Sequence, residues 1–218
     1  MLTSTMQDYL KAIFIILEQQ DRATTSAMAE RLNVAPASVT SMLKKLSKLK
    51  LITYERYQGV RFTRAGEKSA LEIIRHHRLL ERYLSEALGV PWERVHEEAE
   101  KLEHAISEDL EDRIAEMLDH PAVDPHGSPI PTREGEIRRH NTRRLSTVAA
   151  GETVTVLEVD DRSSELLIYL GKLQLYPGAV VRVTAVEPFE GPLVLNVDGR
   201  AFSLGRGAAG EIRVTAAT

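Results

Sequence analysis

The sequence predicts a mainly α-helical protein closed by a small all-β domain, and three observations carry that expectation. Up to about residue 118, apolar residues recur at helical spacing, as in Met6, Tyr9, Leu10, Ile13, Phe14 and Leu17. From residue 151 the apolar period changes to two, in "TVTVLEV", "AVVRVTAVE", "LVLNV" and "EIRVTA". Between these regions, "HPAVDPHGSPIP" carries four prolines between positions 121 and 131 and loses both periods.

Each element follows in order. The first helix covers residues 5–20. In "TTSAMAERLNVAPASVTSMLKKLSKLKL", Thr25 or Ser26 can cap a short helix, Ala27–Leu32, and Asn33 tolerates the left-handed turn that ends it. Pro36 suits the first turn of a second helix running to about Lys50, because its missing N–H costs nothing there. Two helices joined by about three turn residues are the helix-turn-helix pattern. "LITYERYQGVRFTRAG" alternates on either side of Gln58-Gly59 and reads as a two-stranded wing. Thr63 caps the next helix, 64–88, and Gly89 closes it. Pro91 opens a long helix, Trp92–Leu118. Residues 121–150 read as a linker, and 151–218 as a small barrel of short strands interrupted by the helix "SSELLIYLGKL". The expected domains are 1–65, 66–120 and 151–218.

Composition sets limits on function. The chain has 218 residues, 43% hydrophobic and 28% charged, enough apolar material for a packed core in each of two modest domains. No apolar run of ~18 residues exists to span a membrane. Cysteine is absent, so disulfides and thiolate metal sites are excluded, and a cytoplasmic location fits. Net charge is −4 but unevenly spread: residues 1–65 hold ten Lys/Arg against five Asp/Glu, and 66–120 hold seven against fifteen. A basic front beside an acidic middle implies two separate surfaces.

The second helix of the pair presents Ser38, Thr40 and Ser41 early and Lys44, Lys45, Lys48 and Lys50 later, with Ala35 and Ala37 at its start. Small groups at the start of such a helix can reach base edges, and lysines can neutralise phosphates. Arg56 and Arg61 on the wing add backbone contacts. The bland alternative is a helical hairpin with a solvated lysine face; the basic excess and the following hairpin favour DNA.

On one continuous helix, His96, Glu100, Glu103 and His104 would fall at i, i+4, i+7 and i+8, facing one side. His77 and Glu81 form an i,i+4 pair on the preceding helix, and Asp8 lies near the start of the chain. A divalent cation would relieve the repulsion of such a stripe; a solvated acidic face is the plain alternative. "HEEAE" lacks the second histidine of the zinc-protease motif, and no nucleophile elbow or phosphate loop appears, so an enzyme is not expected. His120, His126 and His140 read as exposed loop histidines, and Trp92 as a packing anchor.

"MQDYLKAIF", "AERLNVAPASVTSMLKKL", "YQGVRFTRAGE", "HHRLLERYL", "VHEEAEKLEHAISEDLEDRI" and "HPAVDPHGSPIP", in that order, resemble the diphtheria-toxin-repressor and manganese-transport-regulator family of metal-dependent transcriptional repressors. The resemblance implies a winged helix-turn-helix, a helical metal-binding and dimerisation domain, and a C-terminal SH3-like (FeoA-like) barrel. It implies a homodimer on double-stranded operator DNA that senses Mn(II), alternatively Fe(II), and controls metal-uptake genes. It places metal ligands at Asp8, Glu100, Glu103 and His104 and at His77, Glu81 and His96. Glu165 is the better barrel match and Asp161 the weaker.

The iron-responsive branch has methionine at position 8 and cysteine at position 100. Asp and Glu stand there in this chain, and hard oxygen donors suit Mn(II). Lys11 replaces a carboxylate of the manganese branch, a departure that leaves Mn(II) against Fe(II) and the number of metals open. Arg78 matches a family anion-binding residue, while Ser128 replaces the asparagine common beside it. The rival reading is a winged-helix regulator that answers a small organic ligand.

Overall fold

The computed structural model describes residues 2–20, 22–55, 59–138 and 140–217. The chain divides into two compact units. The first is Met1–His77 with Glu103–Ile106 and Pro131–Glu136; the second is Arg78–Leu102, Ser107–Ile130 and Ile137–Thr218.

In the first unit, α1 (Ser4–Gln19) is capped by Thr3, whose hydroxyl accepts from the Met6 N–H. Thr24 caps α2 (Thr25–Arg31) in the same way, through Ala27. The cap therefore falls just before the pair the sequence suggested. Asn33 takes φ +51°, and Pro36 sits in the first turn of α3 (Pro36–Lys48). α1 packs on α2 and α3. Leu10, Ile13, Met28, Leu43 and Leu46 are fully buried between them. The wing is β1 (Ile52–Glu55) paired antiparallel with β2 (Gly59–Phe62); Arg56 lies outside the described residues. The hydroxyl of Thr63 accepts from the Gly66 N–H at 3.2 Å and starts α4 (Arg64–Glu86), which begins in the first unit and ends in the second. Gly66 has no side chain because a Cβ there would stand 1.8 Å from the Leu51 carbonyl oxygen.

In the second unit, the expected continuous helix 92–118 is absent. α5 is Val95–Leu102 and α6 is Glu108–Met117. Ser107 accepts from the Leu110 N–H and restarts the helix, with Glu108, Asp109 and Glu111 in its acidic first turn. The residues from Glu103 to Ser107 leave the helical path, so the single stripe inferred from spacing does not exist. The Pro-rich segment is also ordered. Val123 bridges Pro129, and Asp124, His126, Ser128 and Ile130 are buried, so His126 is not an exposed loop residue.

The β domain is an antiparallel six-stranded sheet in the order β3-β8-β4-β5-β6-β7. Its strands are β3 (Arg143–Arg144), β4 (Thr153–Val159), β5 (Val180–Val186), β6 (Leu193–Val197), β7 (Arg200–Leu204) and β8 (Ile212–Ala216). The helix α7 (Ser164–Lys172) follows β4, and the short α8 (Arg206–Gly210) follows β7. Val154, Val156, Leu167, Val181, Val183, Leu195 and Val214 fill its core. Asp198 and Gly199, both at positive φ, make the tight turn between β6 and β7. The fold is thus mainly α with a small all-β SH3-like domain, as its sequence predicts. No helix among the described residues is long and apolar enough to cross a membrane.

Candidate metal centre

Within each unit taken by itself, metal-type donors come together among the described residues. In the first unit, Asp8 on α1 meets Glu103 and His104 from the break after α5. His104 Nδ1 lies 2.9 Å from the Gln7 side-chain oxygen, to which it can donate, and Nε2 stands 2.8 Å from Asp8 Oδ1. With Nδ1 turned to Gln7, Nε2 is the ring nitrogen that faces Asp8 and the one that would ligate a metal. Glu103 is fully buried: Oε1 accepts from Lys11 Nζ at 2.6 Å, and Oε2 pairs with His77 Nδ1. Burial pushes the Glu103 carboxyl upward, but His77 and Lys11 outweigh it and hold it below the usual range. For Asp8, burial dominates and raises the carboxyl against the pull of His104 and Lys11. His77, which the resemblance places among the ligands, pairs here with Glu103, and Lys11 supplies a cation to the same carboxylate.

In the second unit, Glu81 on α4, His96 on α5 and Asp161 on the loop after β4 converge. His96 Nδ1 is 3.1 Å from Glu81 Oε1 and 3.2 Å from Asp161 Oδ2. Glu100, one turn along, is exposed, with Oε1 3.7 Å from His96 Nε2. Two residues absent from the expected ligand sets join this place, Asp124 and His126, which group with Glu81. His126 Nε2 donates to the Trp92 carbonyl at 2.8 Å. Its buried Nδ1 makes no hydrogen bond among the described residues and faces Glu81 Oε1 at 3.9 Å and Asp161 Oδ2 at 4.0 Å.

Asp124 Oδ1 accepts the backbone N–H groups of His126 and Ser128 at 2.8 and 3.0 Å. Burial first, and then the Glu81 carboxylate, raise the Asp124 carboxyl well above its usual value, against the pull of Arg78. Burial also disfavours the charged form of His96, yet its hydrogen bonds to Asp161 and Glu81 push its pKa up to about 11. A proton on His96 thus balances these carboxylates. Glu165 is exposed in the first turn of α7 and belongs to no donor group among the described residues, so Asp161 is the barrel residue that reaches the cluster.

The donors suit a divalent first-row ion. Such an ion stands about 2.1 Å from each ligand, and the donor atoms of Asp8, Glu103 and His104, like those of Glu81, Asp124 and His126, lie within 4.8 Å of one another. All donors are oxygen or nitrogen, a set that accepts Mn(II) without preferring soft metals. The expected anion-binding residues are engaged by the chain itself. Arg78 Nη1 donates to the Pro129 carbonyl at 2.6 Å and Nε faces Asp124 Oδ2 at 3.8 Å, while Ser128 Oγ donates to Glu158 at 2.7 Å.

On α3, Ala35, Ala37, Ser38, Ser41, Lys44, Lys45 and Lys48 are exposed, as is Arg61 on the wing. Thr40 is half-buried and donates to the Pro36 carbonyl. A cleft of about 1170 Å³ between α2, α3 and the wing is lined by Arg22, Thr24, Thr40, Lys44, Lys48 and Tyr54.

Residues 1–60 match the family described as "Iron dependent repressor, N-terminal DNA binding domain", and residues 63–132 its "metal binding and dimerisation domain". The iron-dependent repressor IdeR of Mycobacterium tuberculosis is 32% identical over 163 residues, covering 72% of this chain and 71% of its own. The chain belongs to the iron-dependent repressor family. Residues 143–216 match the FeoA domain. The diphtheria toxin repressor of Corynebacterium jeikeium is 26% identical over 230 residues, 95% of this chain and 92% of its own. A solved structure described as a manganese-dependent transcriptional repressor in complex with manganese is 36% identical, with a TM-score of 0.92, covering 97% of this chain and all of its own. Iron-dependent and manganese-dependent repressors thus both occur among the family members this chain resembles.

Proposed function

We propose that this chain is a cytoplasmic, homodimeric transcriptional repressor that binds operator DNA when Mn(II), alternatively Fe(II), is plentiful, and so controls metal-uptake genes. Residues 1–65 read DNA, 66–120 hold metal and the dimer contact, and 151–218 form the barrel, with 121–150 between them. One observation carries the reading: Asp8, on the helix against which α2 and α3 pack, stands at His104 and Glu103 from the break between α5 and α6. Asp8, Glu103 and His104 would hold one ion, and Glu81, His96, Asp124, His126 and Asp161 a second. A bound divalent ion supplies charge neutralisation and a rigid junction between these donors.

The chain's own residues do the rest. Asp8 fixes α1, and α1 fixes α3 by packing. Lys44, Lys45, Lys48 and Arg61 neutralise phosphates while Ala35, Ala37, Ser38, Thr40 and Ser41 face the groove. A dimer must hold two such helices about 34 Å apart to enter successive major grooves, so restricting α1 shifts the population toward the binding geometry. An organic effector is not favoured, because the buried convergent groups are carboxylates and imidazoles.

Glu103→Gln combined with His104→Ala tests the reading. Metal-stimulated operator binding should disappear while circular dichroism stays native. Wild-type affinity for DNA at saturating Mn(II) in that variant would overturn it.

A further inference from the structure

We propose that Trp92 is a positioning residue for the Glu81–His126–Asp161 cluster, acting as the middle of an aromatic column that fixes the His126 ring and ties it to the helix following Asp161. The inference rests on reading that cluster as a divalent-metal site.

The main-chain carbonyl of Trp92 takes the Nε2 proton of His126 at 2.8 Å. A neutral imidazole carries one N–H, so this bond leaves the Nδ1 lone pair aimed at the carboxylates, in the tautomer that ligates. The same residue's indole lies 5.7 Å from the His126 ring at 33° and 4.7 Å from the Tyr176 ring at 57°, both within aromatic contact range. It also packs against the barrel core. Gly171 on α7 leaves room for the column: a Cβ there would stand 2.9 Å from the Tyr176 hydroxyl and 3.4 Å from the Trp92 indole nitrogen. Asp161 sits on the loop that leads into this helix. One stack therefore sets the ring of one ligand and anchors the helix behind another, although the two ligands are far apart in sequence. Outer groups that orient a ligand typically matter 10–100-fold in metal affinity.

Trp92 is the chain's only tryptophan, so its emission reports on this place alone. The test titrates full-length protein with Mn(II), by calorimetry and by fluorescence. Wild type should show two binding phases, with emission quenched in step with one. Glu81→Gln should remove the quenching phase and His104→Ala should spare it. Trp92→Leu and Tyr176→Leu should each weaken that phase tenfold or more and leave the other unchanged. Trp92→Phe and Tyr176→Phe, which keep a ring in the stack, should restore it to within about threefold. Should Trp92→Leu fail to fold, the Tyr176 pair carries the comparison. Unchanged affinity in both leucine variants, or equal weakening of both phases, overturns the positioning role while the site reading stands. A wild-type titration that Glu81→Gln does not alter overturns the site reading, and the proposal with it.

Discussion

Replacing Lys11 by methionine separates the chain's own cation from the one it is proposed to bind. Lys11 is buried beside the fully buried Glu103, with Nζ 2.6 Å from Oε1. Methionine keeps most of the side-chain volume and removes the charge. Breaking a buried pair by deleting one partner costs about 3–5 kcal/mol, because the remaining charge stays desolvated. His77 continues to hold the other carboxylate oxygen, so the lower end applies, about 3 kcal/mol. For a chain of this size that corresponds to a fall in melting temperature of roughly 6–12 °C.

Metal should reverse the sign of the story. An ion at Asp8, Glu103 and His104 compensates the carboxylate that Lys11 no longer does, and binding at a thousand times Kd adds about 4 kcal/mol to the folded state. Mn(II) affinity at this group should rise, because no ammonium competes for Oε1. Thermal melts by circular dichroism in EDTA and in excess Mn(II) read both effects. A variant as stable as wild type in EDTA, or one whose deficit is undiminished by Mn(II), refutes the reasoning.

Three further outcomes are expected. His96, with its pKa pushed up to about 11 against an ordinary 6.5, contributes stability that is fully present below about pH 6.5 and fades as pH rises toward 11. Metal must displace its proton at neutral pH, so Mn(II) affinity should increase with pH, and calorimetry in buffers of different ionisation enthalpy should register proton release; a heat independent of buffer contradicts this. Gly127→Ala should destabilise the protein by at least about 2 kcal/mol and abolish uptake at the second cluster. Its φ is +90° and a Cβ would stand 1.8 Å from the Leu157 carbonyl oxygen, so a wild-type melt would contradict the packing described. Lys44→Ala and Lys48→Ala should each weaken DNA binding regardless of sequence and lower the slope of log affinity against log salt by about one; an unchanged slope would remove those lysines from the interface.

Local signals made the first unit readable. Threonine caps, Asn33, Pro36 and the wing's alternation each act within a few residues, so α2, α3 and the wing follow from short stretches. The break at Glu103 was hidden for a physical reason. Ala99, Leu102, Ala105, Ile106, Leu110 and Ile114 keep helical spacing across it, and no proline or glycine marks it. The signal present was Ser107 followed by Glu108 and Asp109, a capped and acidic helix start.

Asp124 and His126 were masked by composition, since prolines suggest a loose connection. Yet Asp-Pro-His-Gly is also an Asx-turn sequence, and Asp124 satisfies the backbone that burial would otherwise orphan. Which barrel carboxylate reaches the cluster depends on how the loop after β4 docks, a long-range matter that no spacing encodes; hence Asp161 stands there and Glu165 does not. β7 escaped notice as an edge strand with few inward apolar residues.

The central claim, that a divalent ion on these two donor groups switches on DNA binding, is tested most directly by anisotropy of a labelled duplex selected from a random library with Mn(II) present. At constant salt, the account predicts that affinity climbs with buffered free Mn(II) and collapses on adding EDTA. Equal affinity for the duplex in Mn(II) and in EDTA would contradict it.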